Sequence, residues 1–117
     1  MRILIVEDDG DLRESLGAVL TDEGFEAFMV RHGREALEWL ATNPAPGAIL
    51  LDSMLPILSG PELNEALRTS PTLAKIPVVI LSALDLDQQR KELPGARAYL
   101  RKPVAVEELV ETLRSLA

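Results

Sequence analysis

The sequence predicts one α/β domain, a doubly wound five-stranded parallel sheet with helices on both faces, and three observations carry that prediction. The chain has 117 residues with 47% hydrophobic content, which suits one domain with a core of its own and calls for no second unit, so residues 1–117 are read as a single domain. Short apolar runs alternate with stretches of helical periodicity, and the cycle recurs five times. The runs are continuous rather than alternating apolar with polar, which marks strands covered on both faces, as in a parallel sheet between helix layers.

The first strand is Ile3 to Val6, followed by "EDDGD" and by Leu12, Leu16, Val19 and Leu20 at helical spacing, with Gly24 closing that helix. "FEAFMV" (25–30) is the second strand and "REALEWL" (34–40) the second helix, with Ala36, Leu37 and Leu40 on one stripe before the breaker "NPAPG" (43–47). "AILL" (48–51) is a buried strand, and Pro61 sits where a first helical turn tolerates it, ahead of Leu63, Ala66 and Leu67. "PVVIL" (77–81) is the fourth strand and the polar "DLDQQRKEL" (85–93) a short helix ended by Gly95. "RAYL" (97–100) and the amphipathic "VEELVETLRSL" (106–116) complete the fifth unit.

Composition excludes several function classes. Twelve Lys and Arg against nineteen Asp and Glu leave a net charge of −7, which disfavours direct nucleic-acid binding, because phosphate contacts need clustered cations. Proteins are the expected partners. No apolar stretch approaches the roughly 18–20 residues of a membrane span, and the opening residues lack the pattern of a signal peptide. With no cysteine, a disulfide framework and a thiolate metal site are ruled out, and a cytoplasmic address is expected.

In a doubly wound sheet ligands bind beyond the carboxyl ends of the strands, so the polar residues there carry the functional reading. Glu7, Asp8 and Asp9 follow the first strand, Asp52 ends the third, Ser82 ends the fourth, and Lys102 with Pro103 follows the fifth. Glu7, Asp8 and Asp52 together bring about three negative charges into a partly dry cleft, which is unfavourable unless a cation is present or one group stays protonated. Hard oxygen ligands of this kind suit Mg2+. A carboxylate held beside such an ion and the Lys102 ammonium is placed to attack phosphorus and form an acyl phosphate, with Ser82 donating to the added oxygens.

The segments "ILIVEDD", "LLDSMLPILSG", "VVILSA" and "AYLRKP", taken together over the whole chain, resemble a receiver (response-regulator) domain of two-component signal transduction. The resemblance implies a flavodoxin-like fold with strand order 2-1-3-4-5. It implies that Asp52 is the phosphoacceptor, that Asp8 binds Mg2+ directly while Glu7 acts mainly through water, and that the backbone carbonyl of Met54 completes the metal ligands. By the same likeness Lys102 contacts the phosphoryl group, Ser82 is the switch hydroxyl, Tyr99 is the switch aromatic, and the Lys102–Pro103 bond is cis. The implied partners are a histidine kinase or histidine phosphotransfer protein and either a downstream target or a missing output domain. A phosphorylation-dependent dimer is among the assemblies this family allows.

Plainer roles compete at single positions. Asp9 fits a helix cap better than a metal ligand. His32 reads as a surface residue near the second helix, and Trp39 as packing or partly exposed surface. The interval from Ser82 to Lys102 is shorter than the family's usual spacing, and the loss falls in the polar segment before Gly95, so a short or mobile fourth helix is expected. Val104 stands where the family often has an aromatic, and the last helix lacks an obvious cap. Three function classes follow. The first is a phosphoacceptor switch that assists its own Mg-dependent phosphorylation and dephosphorylation without being a conventional turnover enzyme. The second is an aspartate-dependent phosphatase, disfavoured because Met54 stands where such enzymes carry a second acid. The third is a phosphorylation-independent interaction module.

Overall fold

The computed structural model describes residues 1–116. Five parallel strands, β1 (Arg2–Val6), β2 (Glu26–Val30), β3 (Ala48–Leu51), β4 (Val78–Ser82) and β5 (Ala98–Arg101), stand in the order β2-β1-β3-β4-β5. The helices are α1 (Gly10–Asp22), α2 (Gly33–Thr42), α3 (Gly60–Thr69), α4 (Leu86–Glu92) and α5 (Val106–Arg114), with a short 3-10 turn at Leu73–Lys75 that the sequence reading did not include. The expected flavodoxin-like order is therefore the observed one.

The continuous apolar runs have the predicted cause. Alternate residues of each central strand enter different cores: Ile3, Ile5, Ala48 and Leu50 pack with Leu16, Leu20, Leu109 and Leu113 of α1 and α5. Leu4, Val6, Ile49 and Leu51 pack with Ala36, Leu40, Leu63 and Leu67 of α2 and α3. Both sides of the pleat are dry, so neither tolerates a polar side chain.

Helix starts follow local chemistry. Asp9 caps α1, accepting from the amides of Asp11 and Leu12 at 3.0 and 3.2 Å, which is the cap role expected for it. Ser59 and Glu62 form a reciprocal capping box at α3, with Pro61 in its first turn. Gly24, at φ 91°, ends α1 in a conformation that a side chain would strain. His32 is more than a surface residue: its Nδ1 accepts from the Glu35 amide at 3.2 Å, making it the N-cap of α2. Trp39 packs its ring 5.2 Å from that of Phe28, half-buried as anticipated. No side chain caps α5, in agreement with the sequence reading.

Helix α4 has seven residues, the predicted shortness. Its buried residue is polar, one that the sequence reading did not single out. Gln89 is fully buried, and its Nε2 donates to the carbonyls of Leu84 at 2.9 Å and Leu100 at 3.0 Å, with a longer contact to that of Ser82 at 3.4 Å. A polar residue, together with buried Leu93, ties this helix to β4 and β5.

Candidate phosphoacceptor site

The site is built by carrying the sheet's hydrogen bonding one residue past its strands. The amide of Glu7 donates to the Val30 carbonyl at 3.1 Å, that of Asp52 to Val6 at 3.2 Å, and that of Lys102 to Ser82 at 2.8 Å. Each functional residue thus leaves the sheet from a backbone that neighbouring strands hold, which brings side chains far apart in sequence to one edge.

There Glu7, Asp8 and Asp52 each offer a carboxylate oxygen, and these oxygens lie within 4.8 Å of one another. Glu7 is 2% and Asp52 8% exposed, whereas Asp8 faces solvent. Lys102 Nζ bridges the buried pair, 3.0 Å from Glu7 Oε1 and 3.2 Å from Asp52 Oδ2. The remaining oxygens accept backbone amides: Glu7 Oε2 that of Asp9 and Asp52 Oδ1 that of Met54, each at 3.2 Å.

The charge balance is uneven. Glu7 is pushed up to about 7 from 4.5, first by burial and further by Asp52, although Lys102 and the Asp9 amide pull the other way. Burial works against the Lys102 ammonium, but Glu7 and Asp52 outweigh it and raise its pKa. One lysine therefore gains from two acids without fully compensating Glu7 for leaving water. A compact set of three carboxylates, one of which resists ionisation, fits a hard divalent cation: Asp8, Asp52 and Glu7 are the side chains able to hold it.

Of the sequence-predicted residues beyond this cluster, Met54, Ser82 and Pro103 end or follow their strands at the same edge, whereas Tyr99 sits within β5, paired with Ile80. The Lys102–Pro103 bond is cis. Met54 turns its side chain outward, 67% exposed. Ser82 is buried, and its Oγ accepts from the Leu84 amide at 3.2 Å. Tyr99 is half-buried; its hydroxyl donates to the Leu93 carbonyl at 2.7 Å and accepts from the Ala96 amide at 3.2 Å, away from Ser82.

Two residues escaped the sequence reading. Buried Ser53 places its Oγ 2.5 Å from that of Ser82. The signal for it was present: Leu51 pairs with Ile80, so carrying the register forward puts Ser53 beside Ser82 once the strand order is assumed. Gln89 had no such signal, since one glutamine in "DQQRKEL" looks like its neighbours.

The sequence model of the family described as "Response regulator receiver domain" matches residues 3–114. The response regulator MprA of Mycolicibacterium vanbaalenii is 40% identical over 99% of this chain and 50% of its own length, and that of Mycobacterium leprae is 41% identical over the same shares. The chain thus spans about half the length of these curated relatives. Among solved structures, the receiver domain of the Francisella response regulator 1452 superposes with a TM-score of 0.89 at 31% identity, covering 98% of this chain and 94% of that one. The receiver domain of the sensor histidine kinase PA1611 from Pseudomonas aeruginosa, solved with a magnesium ion coordinated in its active-site cleft, gives a TM-score of 0.89 at 29% identity over 98% and 95% of the two chains. Matching in family pattern, strand order and backbone course along nearly its whole length, this chain belongs to the response regulator receiver domains of two-component signalling.

Proposed function

We propose that the chain is a phosphoacceptor switch in which Asp52 takes a phosphoryl group from a phosphohistidine of a partner kinase or phosphotransfer protein. The observation that carries this reading is the position of Asp52, nearly buried at the end of β3, 3.2 Å from Lys102 Nζ and clustered with Glu7 and Asp8. In the transfer a carboxylate oxygen of Asp52 bonds to phosphorus while the bond from phosphorus to the imidazole nitrogen breaks. The nitrogen keeps the electron pair, and because the other ring nitrogen of the phosphohistidine carries a proton in the reacting form, neutral imidazole is the leaving group.

This chain's residues hold the reacting groups. The Asp52 carboxylate is oriented by the Met54 amide and by Lys102, and burial limits the water available to hydrolyse the acyl phosphate. Lys102 has a mobile ammonium able to follow its carboxylate's new oxygens. Asp8, Asp52, Glu7 and the Met54 carbonyl would hold Mg2+, which when bound would supply positive charge to offset that developing on the phosphoryl oxygens. Ser82 donates its hydroxyl to one of those oxygens. Its withdrawal toward the phosphoryl group favours an inward Tyr99, which must give up its bonds to Leu93 and Ala96. The face formed by α4, β5 and α5 then reports the modification to a downstream target or an output domain, in a cytoplasmic setting, with dimerisation as one form of that readout.

Intact mass after incubation with Mg2+ and acetyl phosphate tests the reading. One added phosphoryl group on the wild type, absent with EDTA and in Asp52→Asn, is the expected result. Failure of the wild type to gain a phosphoryl group and to bind beryllofluoride would overturn it in favour of a phosphorylation-independent interaction module.

A further inference from the structure

The Ser53–Ser82 pair is a donor unit with one proton too many. Both residues are buried, and their hydroxyl oxygens lie 2.5 Å apart, so one proton occupies the bond between them. The Leu84 amide already donates to Ser82 Oγ. No other side-chain hydrogen bond engages either hydroxyl among the described residues, which leaves the second hydroxyl proton without an acceptor. A buried donor in that condition carries a desolvation cost that an arriving acceptor relieves.

The backbone at both ends of the pair is held. The Ser53 carbonyl accepts the Gly60 amide at 3.2 Å, and a Cβ on Gly60 would stand 2.5 Å from the Ser53 carbonyl oxygen, so the loop closes on Ser53 without room for a side chain. The Ser82 carbonyl accepts the Lys102 amide at 2.8 Å. Neither hydroxyl reaches the other through a flexible stem, and with the oxygens placed only the hydroxyl protons are left to orient.

We propose that Ser53 is a positioning residue for the phosphoryl group: its hydroxyl donates to Ser82 Oγ and so directs the Ser82 proton to an oxygen of the group carried by Asp52. This rests on the reading of Asp52 as the phosphoacceptor. With Ser53 as donor, both lone pairs of Ser82 Oγ are occupied, by Ser53 and by the Leu84 amide, and the Ser82 proton alone points out of the pair. An oxygen that accepts two hydrogen bonds becomes a stronger donor, because each bond polarises the next. Without a phosphoryl group either hydroxyl can be the donor; an anionic acceptor at Asp52 selects the orientation that runs from Ser53 through Ser82 to the phosphoryl oxygen. Ser53 touches no reacting atom and acts through Ser82.

Affinity for beryllofluoride in the presence of Mg2+, read from the fluorine NMR signal of the bound species, tests this in the wild type, Ser53→Ala, Ser82→Ala and the double variant. Ser53→Ala should weaken binding roughly fivefold, the worth of one net hydrogen bond. The double variant should bind no more weakly than Ser82→Ala, because Ser53 has nothing to act through once the Ser82 hydroxyl is gone. A general structural role for Ser53 would instead weaken binding in both backgrounds, and that outcome overturns the proposal. So does Ser53→Ala binding as well as or better than the wild type. If the wild type itself fails to bind, the phosphoacceptor reading falls and this one with it; if the wild type binds and Ser53→Ala is unchanged, only the role of Ser53 is lost.

Discussion

Lys102 Nζ lies 3.0 Å from Glu7 Oε1 across 95 residues of chain, yet the Glu7 carboxyl is held up at about 7 rather than pulled below its ordinary 4.5. Burial outweighs the ion pair. Because the folded-state value is raised, ionising Glu7 costs stability: its contribution is fully present below pH 4.5 and is lost as pH rises to about 7. Metal-free protein in EDTA should therefore lose on the order of 2 kcal/mol across that window. Urea unfolding at a series of pH values checks this, and Glu7→Gln should flatten the decline. A wild-type profile as flat as that of Glu7→Gln would show that Lys102 compensates the carboxylate fully.

Asp8 separates metal binding from folding. Its exposed side chain takes no part in the Lys102 bridge, so Asp8→Ala should change metal-free stability by less than about 0.5 kcal/mol. The wild type should gain about 2.7 kcal/mol from Mg2+ at a hundred times its dissociation constant. Asp8→Ala should lose most of that gain in thermal unfolding with and without Mg2+. An undiminished gain would place the ion elsewhere.

Gln89 should be worth more to the fold than any charged residue of α4. Replacing it with leucine keeps the volume but removes the donors to Leu84 and Leu100, and buried carbonyls left unpaired cost about 2–3 kcal/mol in total. The loss is read from urea denaturation. Its Oε1 has no hydrogen-bond partner, so Gln89→Glu, which offers no donor when ionised, should be at least as damaging. A neutral outcome for Gln89→Leu would mean that Leu93 alone anchors the helix.

Ile57 stores strain in the loop that carries Met54. It sits at φ 54°, followed by Leu58 at φ 80°, and a β-branched residue in the left-handed region is costly. Since Ile57 is 60% exposed, Ile57→Gly gives up little packing and should stabilise the fold by about 1 kcal/mol. Thermal unfolding measures it; a destabilised variant would show that the Ile57 side chain makes contacts worth more than the strain.

Much of the architecture was legible because its cause is local. The run Ala48–Leu51 came out with its observed bounds, since a fully buried strand shows as an unbroken apolar stretch closed by an acid. Glu7, Asp52 and Lys102 were legible as partners because each follows such a run, and parallel strands deliver their ends to one edge. His32 was passed over as a cap since imidazole is not among the usual capping side chains, and only the backbone at its position shows Nδ1 facing the Glu35 amide.

The sequence by itself determined the five strand–helix units and the polar, acid-rich strand ends, because periodicity and composition are properties of neighbouring residues. Tertiary structure alone decided how those groups pair: that Glu7 is too buried to ionise easily, that Ser53 meets Ser82, that Gln89 rather than an apolar stripe anchors α4, and that Tyr99 bonds Leu93 and Ala96 rather than Ser82. Burial and hydrogen bonding depend on what lies across the sheet, and a chain specifies that only after its strands have taken their order and register.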